Sequence, residues 1–202
     1  KRRMHIVNNI YQVQRLLLEE SKITQVTNWQ GNNDFEGTLM RVLRNVNLII
    51  KCPFNKDKAR DITGCDLPWA EDHFQERVSG LPTNPGDTYK YWPYHSNLDK
   101  SNYKEEKFSH TYQERFWPKR ADVPFYVGFP LVGIRYELGD LNDLIEQLGN
   151  DPATRQAYLP IWFPEDTGAK NRRVPCTLGY YFYIEDNVIN CNYTIRSCDI
   201  YR

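Results

Sequence analysis

Hydrophobic residues recur at helical spacing near the start of the chain. Ile6, Ile10, Val13, Leu16, Leu17 and Leu18 lie within residues 5–20 and predict an N-terminal amphipathic helix. Residues 38–50 are apolar but interrupted by Arg41 and Arg44, a pattern that fits either helix or strand. Pro68 is suited to open a helix, which the pattern predicts from Trp69 to Val78, with Ser79-Gly80 ending it. A second helix is expected after Asp140, a residue type that accepts from the free N–H groups of a first turn. Leu141, Leu144, Ile145 and Leu148 would form its buried stripe, Gly149-Asn150 its end, and Pro152 a block to continuation.

Beyond that point the period changes. Residues 157–163, 177–184 and 188–195 read as strands, the last two joined by the turn-forming Glu185-Asp186-Asn187. Antiparallel pairing across that hairpin would place Cys176, at a strand entrance, beside Arg196-Ser197, at the exit of its neighbour. Residues 81–130 are rich in Pro, Gly, Tyr, Trp and charge and show little periodicity. So long an irregular segment is more often a functional covering loop than a linker. No repeat and no low-complexity stretch is present. Residues 1–202 therefore suggest a single α/β domain, in the α+β sense, with room for a sizeable core.

Composition narrows the partners. The 26 basic and 26 acidic residues cancel, which calls for no nucleic acid and no membrane surface. No apolar run approaches the ~20 residues of a span. The opening Lys1-Arg2-Arg3-Met4 is basic but lacks the apolar stretch of a signal peptide. Five cysteines, at 52, 65, 176, 191 and 198, form no CxxC pair and suit reduced thiols, hence a cytoplasmic setting. Four histidines at scattered positions predict no metal. Fourteen tyrosines and five tryptophans suit a pocket that stacks a planar ligand, and equally an aromatic core.

One cysteine has a setting that chemistry would need. Arg155 lies 21 positions before Cys176, and the pair Arg196-Ser197 begins 20 positions after it. Nearby cations stabilise a thiolate nucleophile, and arginine binds phosphate through a planar fork. Together they suggest covalent catalysis on a phosphorylated substrate. Cys191 and Cys198 lack such flanks and are expected to be packing residues, and Arg172-Arg173 a solvated loop. His73 and His110 read as structural.

The run Asp151-Pro152-Ala153-Thr154-Arg155-Gln156, then Trp162, Pro175-Cys176 and Arg196-Ser197-Cys198-Asp199, resembles the thymidylate synthase family over about residues 112–202. The wording from Thr154 to Gly168 is closer to the phage-type pyrimidine nucleotide hydroxymethylases. The resemblance implies a large mixed β-sheet backed by helices. It also implies that Cys176 adds to C6 of a pyrimidine nucleoside monophosphate, so that C5 attacks the methylene carbon of 5,10-methylenetetrahydrofolate. A hydroxymethylase then admits water, whereas a thymidylate synthase transfers hydride.

By the same resemblance Arg196 and Ser197 bind the nucleotide phosphate, and Asp199 helps fix the pyrimidine and sugar. Arg155 matches the first of two arginines that a homodimer partner contributes in trans; Gln156 stands where the second would be. Tyr112 matches a tyrosine near the active-site water network. Glu76, with Glu71 as rival, matches a glutamate that moves protons at the pyrimidine carbonyl. Trp92 and Trp117 are candidates to line the folate pocket, with a core role equally open. The family's base-discriminating Asn or Asp would fall near position 207, so a C-terminal segment is expected to be lacking. A noncatalytic nucleotide-binding relative is the competing reading. A Cys-His hydrolase would need a histidine beside Cys176, and none follows residue 110.

Overall fold

The computed structural model describes residues 3–26, 38–50, 55–65, 68–91, 108, 110–121, 139–167 and 174–198. By compactness the chain divides into two units, residues 1–70 with 199–202, and Glu71–Cys198. Helices and strands are mixed, as an α+β chain requires.

In the first unit, β1 (Arg3–Val7) runs parallel to β4 (Val46–Ile50), and β2 (Lys22–Val26) antiparallel to β3 (Thr38–Val42). Residues 38–50, open between helix and strand, thus form two strands, with Asn45 taking φ 57 at their connection. The helix expected over 5–20 is shorter. α1 spans Ile10–Glu20, and its first turn is set by Asn9, whose side chain accepts from the Gln12 N–H at 3.0 Å. The residues before Asn9 pair with β4 instead. Spacing within one segment cannot reveal a partner forty residues away, and that partner decides the conformation. α2 (Lys56–Thr63) answers to no expected element; Asn55 caps its start, and Gly64, with φ 67, its end.

α3 (Trp69–Val78) matches its predicted limits. Within the irregular stretch, the described residues hold a 3-10 turn at Asp87–Tyr91 and a short helix α4 (Tyr112–Phe116). Thr111 and Glu114 cap α4 reciprocally, the Thr111 hydroxyl taking the Glu114 N–H and Glu114 taking the Thr111 N–H at 2.8 Å. The remainder of 92–107 and 122–130 lies outside the described residues.

α5 (Leu141–Asn150) sits where predicted. Asp140 precedes it, but its carboxylate accepts the Lys119 N–H; Asp143 is the residue that takes the N–H groups of Gly139 and Asp140. Burial alone would raise the Asp143 carboxyl. Its bonds from the Lys119 ammonium and from those two amides outweigh this and hold it below the usual range. Leu144 and Leu148, one turn apart, point into the core, whereas Ile145 is 57% exposed, contrary to the expected stripe. A helix turns about 100° per residue, so 145 leaves the face that 144 and 148 share.

Three strands close the second unit in the order β5-β6-β7, all antiparallel: β5 (Tyr158–Pro160), β6 (Thr177–Glu185) and β7 (Val188–Ile195). β5 is shorter than the predicted 157–163, since Pro160 has no N–H to donate. Asp186 and Asn187 both take positive φ, 52 and 59, as a two-residue hairpin turn of matched twist demands. The register slips between Thr177 and Gly179, a bulge at the start of β6. A Cβ on Gly179 would collide with the Tyr158 ring and stand 2.8 Å from the Leu159 carbonyl. Phe116, Trp117, Leu144, Leu148, Ala157, Leu159 and Ile161 form the core against this sheet. Among the described residues the strands pair as three sheets of two, two and three strands.

Candidate functional site: the thiol at the sheet edge

Cys176 and Arg196 meet because β6 begins just after one and β7 ends just before the other. The Arg196 N–H donates to the Cys176 carbonyl at 2.9 Å, closing the ladder. Its side chain then folds back along residues 174–176. Nε donates to the Pro175 carbonyl at 2.9 Å, and Nη2 to the Val174 carbonyl at 3.3 Å, lying 3.9 Å from the Cys176 sulfur. Trp162 stands beneath the guanidinium, 5.3 Å from its centre to the indole. Cys176 is half-buried, and Ser197 is exposed next to it in sequence.

The loop that carries Trp162 is fixed from below. Arg115 on α4 grips Asp166 through two bonds, 2.9 and 3.1 Å, with both side chains almost fully buried. Asp166 also takes the Phe163 N–H, and the Arg115 guanidinium lies over the Phe163 ring. Charge satisfied this fully is rigid, and it sets where residues 161–166 run.

Tyr112, at the start of α4, reaches the opposite side of the Cys176 peptide. Its hydroxyl accepts from the Thr177 N–H at 3.4 Å and from the Thr177 hydroxyl at 3.2 Å. Thr177 in turn shares a bond of 3.0 Å with the Tyr193 hydroxyl on β7. The Arg77 guanidinium covers the Tyr112 ring at 4.2 Å, and the His110 ring meets it edge-on. Tyr193 stacks on Tyr180 at 5.0 Å, and burial pushes both phenols up, Tyr180 to about 12.

Glu76 joins this group through Gln113, the residue after Tyr112, whose amide donates to its carboxylate at 2.8 Å. That carboxylate also takes the Asp87 N–H at 2.6 Å and the Thr88 hydroxyl. Gly86 takes φ 77, a conformation that favours glycine, and a Cβ there would fall 2.6 Å from a Glu76 oxygen. The rival Glu71 accepts from Gln75 one turn along its own helix. His73 nearby is held down to about 4, first by burial and then by the Arg77 charge, with Glu76 partly opposing.

Other candidates fall elsewhere. Arg155 is exposed on the bend between α5 and β5, and Gln156 accepts from Gln147 on α5 at 3.4 Å. Trp117 is 3% exposed, packed in the core with its indole N–H on the Arg77 carbonyl. Cys191 and Cys198, expected to pack, are exposed on and after β7. Trp92, Asp199, Cys52 and Arg172-Arg173 lie outside the described residues. Among the described residues no cluster of His, Cys, Asp and Glu could hold a metal, and no helix is long and apolar enough to cross a membrane. Sequence reasoning passed over Thr177, Gln113 and Arg115. The first two were signalled only by adjacency to Cys176 and Tyr112; Arg115 carried no signal.

A half-buried thiol at the end of the central strand is thus faced by an arginine from the end of the neighbouring strand. The family described as thymidylate synthase matches residues 88–201, more than half of the chain, and the chain belongs to that family. Among curated proteins it is 35% identical over 60 residues to a bifunctional dihydrofolate reductase-thymidylate synthase of Zea mays, covering 30% of this chain and 11% of that one. It is 24% identical over 104 residues to a thymidylate synthase of Buchnera aphidicola subsp. Baizongia pistaciae, covering 47% and 39%. A thymidylate synthase of Buchnera aphidicola subsp. Acyrthosiphon pisum is 29% identical over 66 residues, covering 33% and 25%. The chain thus spans between 11% and 39% of the length of these relatives. No solved structure matches it significantly.

Proposed function

We propose that this protein transfers a one-carbon unit from 5,10-methylenetetrahydrofolate to C5 of a pyrimidine nucleoside monophosphate, dUMP or dCMP, and leaves it as a hydroxymethyl group. The observation that supports the reading is the placement of the Arg196 guanidinium 3.9 Å from the Cys176 sulfur. The guanidinium fork at that range suits the phosphate of a substrate brought up to the sulfur. Sulfur adds to C6, the electrons of the C5–C6 double bond pass to C5, and C5 takes up the methylene carbon. Loss of the C5 proton and departure of tetrahydrofolate leave an exocyclic methylene group. Water adds there, and expulsion of the thiolate restores the ring.

Arg196 and Ser197 take the phosphate in this reading, Asp199 the base and sugar, and Arg155 a phosphate of the neighbouring subunit in a homodimer. Glu76 and Tyr112 handle protons around the ring, and Trp92 borders the folate. The wording of residues 154–168 supports water as the final reactant; reductive methylation is the alternative outcome at the same site. A cytoplasmic setting accords with thiols that are free at Cys65, Cys176, Cys191 and Cys198.

The deciding experiment incubates the protein with 5-tritiated dUMP or dCMP and methylenetetrahydrofolate. Tritium release without the absorbance rise of dihydrofolate is the expected result. Release with that rise would turn the reading to thymidylate synthesis. No release, and no covalent complex at Cys176 with a 5-fluoropyrimidine nucleotide and folate in the mass spectrum, would leave only a nucleotide-binding protein.

A further inference from the structure

The hydroxyls of Tyr112, Thr177 and Tyr193 form a chain that runs from the Cys176 peptide to the outer strand β7. A phenol has one proton to give and two lone pairs to receive with. At Tyr112 both lone pairs are engaged, one by the Thr177 N–H and one by the Thr177 hydroxyl. The Tyr112 proton must therefore point away from Thr177. Since the Thr177 hydroxyl gives its own proton to Tyr112, its bond with Tyr193 at 3.0 Å is one in which Tyr193 donates.

Thr177 is 1% exposed, so its hydroxyl has no water to turn towards. The bulge between Thr177 and Gly179 is the local device that makes this possible. Bulges re-aim side chains at the end of a ladder, and here Thr177 reaches α4 and β7 at once. Arg77 over the ring keeps Tyr112 from swinging out.

We infer that Thr177 and Tyr193 are positioning residues, which fix Tyr112 as a one-way hydrogen-bond donor beside Cys176. The inference rests on the proposed C5 chemistry and names what aims one of its proton-handling groups. Neither residue touches the substrate; both act through Tyr112.

The test compares tritium release from C5 by the wild type, Thr177→Val, Thr177→Ser and Tyr193→Phe. Valine keeps the shape of threonine and removes the hydroxyl, and should lower kcat about tenfold with KM within about twofold. Serine restores the hydroxyl and should return kcat to within about twofold of wild type. Tyr193→Phe keeps the ring on Tyr180 and should fall between, at about threefold. A merely structural role would lower the melting temperature of Thr177→Val without this split, and the serine and phenylalanine variants, which disturb packing less, would then match wild type. If wild type releases tritium and all three variants equal it, the positioning role is overturned while the C5 chemistry stands. If wild type releases none, both fall.

Discussion

Two hydrogen-bonded groups in the Glu71–Cys198 unit carry the chemistry-bearing residues, and they are built in opposite ways. At the end of the β6–β7 pair, Cys176 meets the Arg196 guanidinium, which is anchored mainly to backbone carbonyls of the same segment. At the Glu76 group, one carboxylate receives a backbone amide, a hydroxyl and a side-chain amide from three separate residues. The thiol is thus held beside the arginine through the backbone around it. The carboxylate is largely committed to holding residues 86–88 and Gln113. A group that shapes a loop needs the second arrangement, with its acceptor sites filled from several residues.

Replacing the thiol gives the widest separation of the two. Cys176→Ala should abolish tritium release altogether, while nucleotide affinity, followed by calorimetry, stays within about twofold of wild type. Release persisting in that variant would remove the sulfur from the chemistry.

Arg115→Met strikes the support beneath Trp162. It leaves Asp166 buried without its partner, which should cost about 3–5 kcal/mol in a denaturant titration. A loss under about 1 kcal/mol would show that water reaches Asp166 and that the pair is not the clamp of residues 161–166.

Glu76→Gln keeps shape and the Asp87 bond but weakens acceptance from Thr88 and Gln113. It should cost about 1–2 kcal/mol, read from the denaturant midpoint. If instead stability is unchanged and kcat falls about a hundredfold, the carboxylate serves the reaction first and the loop second.

The smallest effect is one of pH. His73 titrates near 4 in the folded protein against about 6.5 unfolded, so its contribution to stability is complete above about 6.5. It is lost progressively as pH falls towards 4, because the unfolded chain takes up the proton first. Partial solvent access limits this to about 1 kcal/mol, which His73→Gln should erase from the difference between pH 7 and pH 5.

Much of this was legible in the chain. The limits of α3 and α5 follow from Pro68, Ser79-Gly80 and the run from Leu141, because caps and periodicity are local properties. The β6–β7 hairpin was equally legible, since two runs rich in aromatic and β-branched residues flank a turn that only a few residue types can make, and it brings Cys176 to Arg196 at one end of the sheet. The strand β1 was not legible, because the partner that makes it a strand lies at Val46–Ile50. Ile145 was misjudged for a related reason, and Trp117 was left open between pocket and core: hydrophobicity says that a side chain can be buried, not whether the fold covers it.

The sequence alone determined the meeting of Cys176 with Arg196 and the order of elements that pairs them, because each depends on spacing along one hairpin. Tertiary structure alone decided what holds the site in shape. The Arg115–Asp166 clamp, the Glu76 group and the Tyr112–Thr177–Tyr193 hydroxyls join residues 51, 37 and 65 positions apart. Separations of that size leave no periodic trace, and only the packed chain can bring such groups within bonding distance.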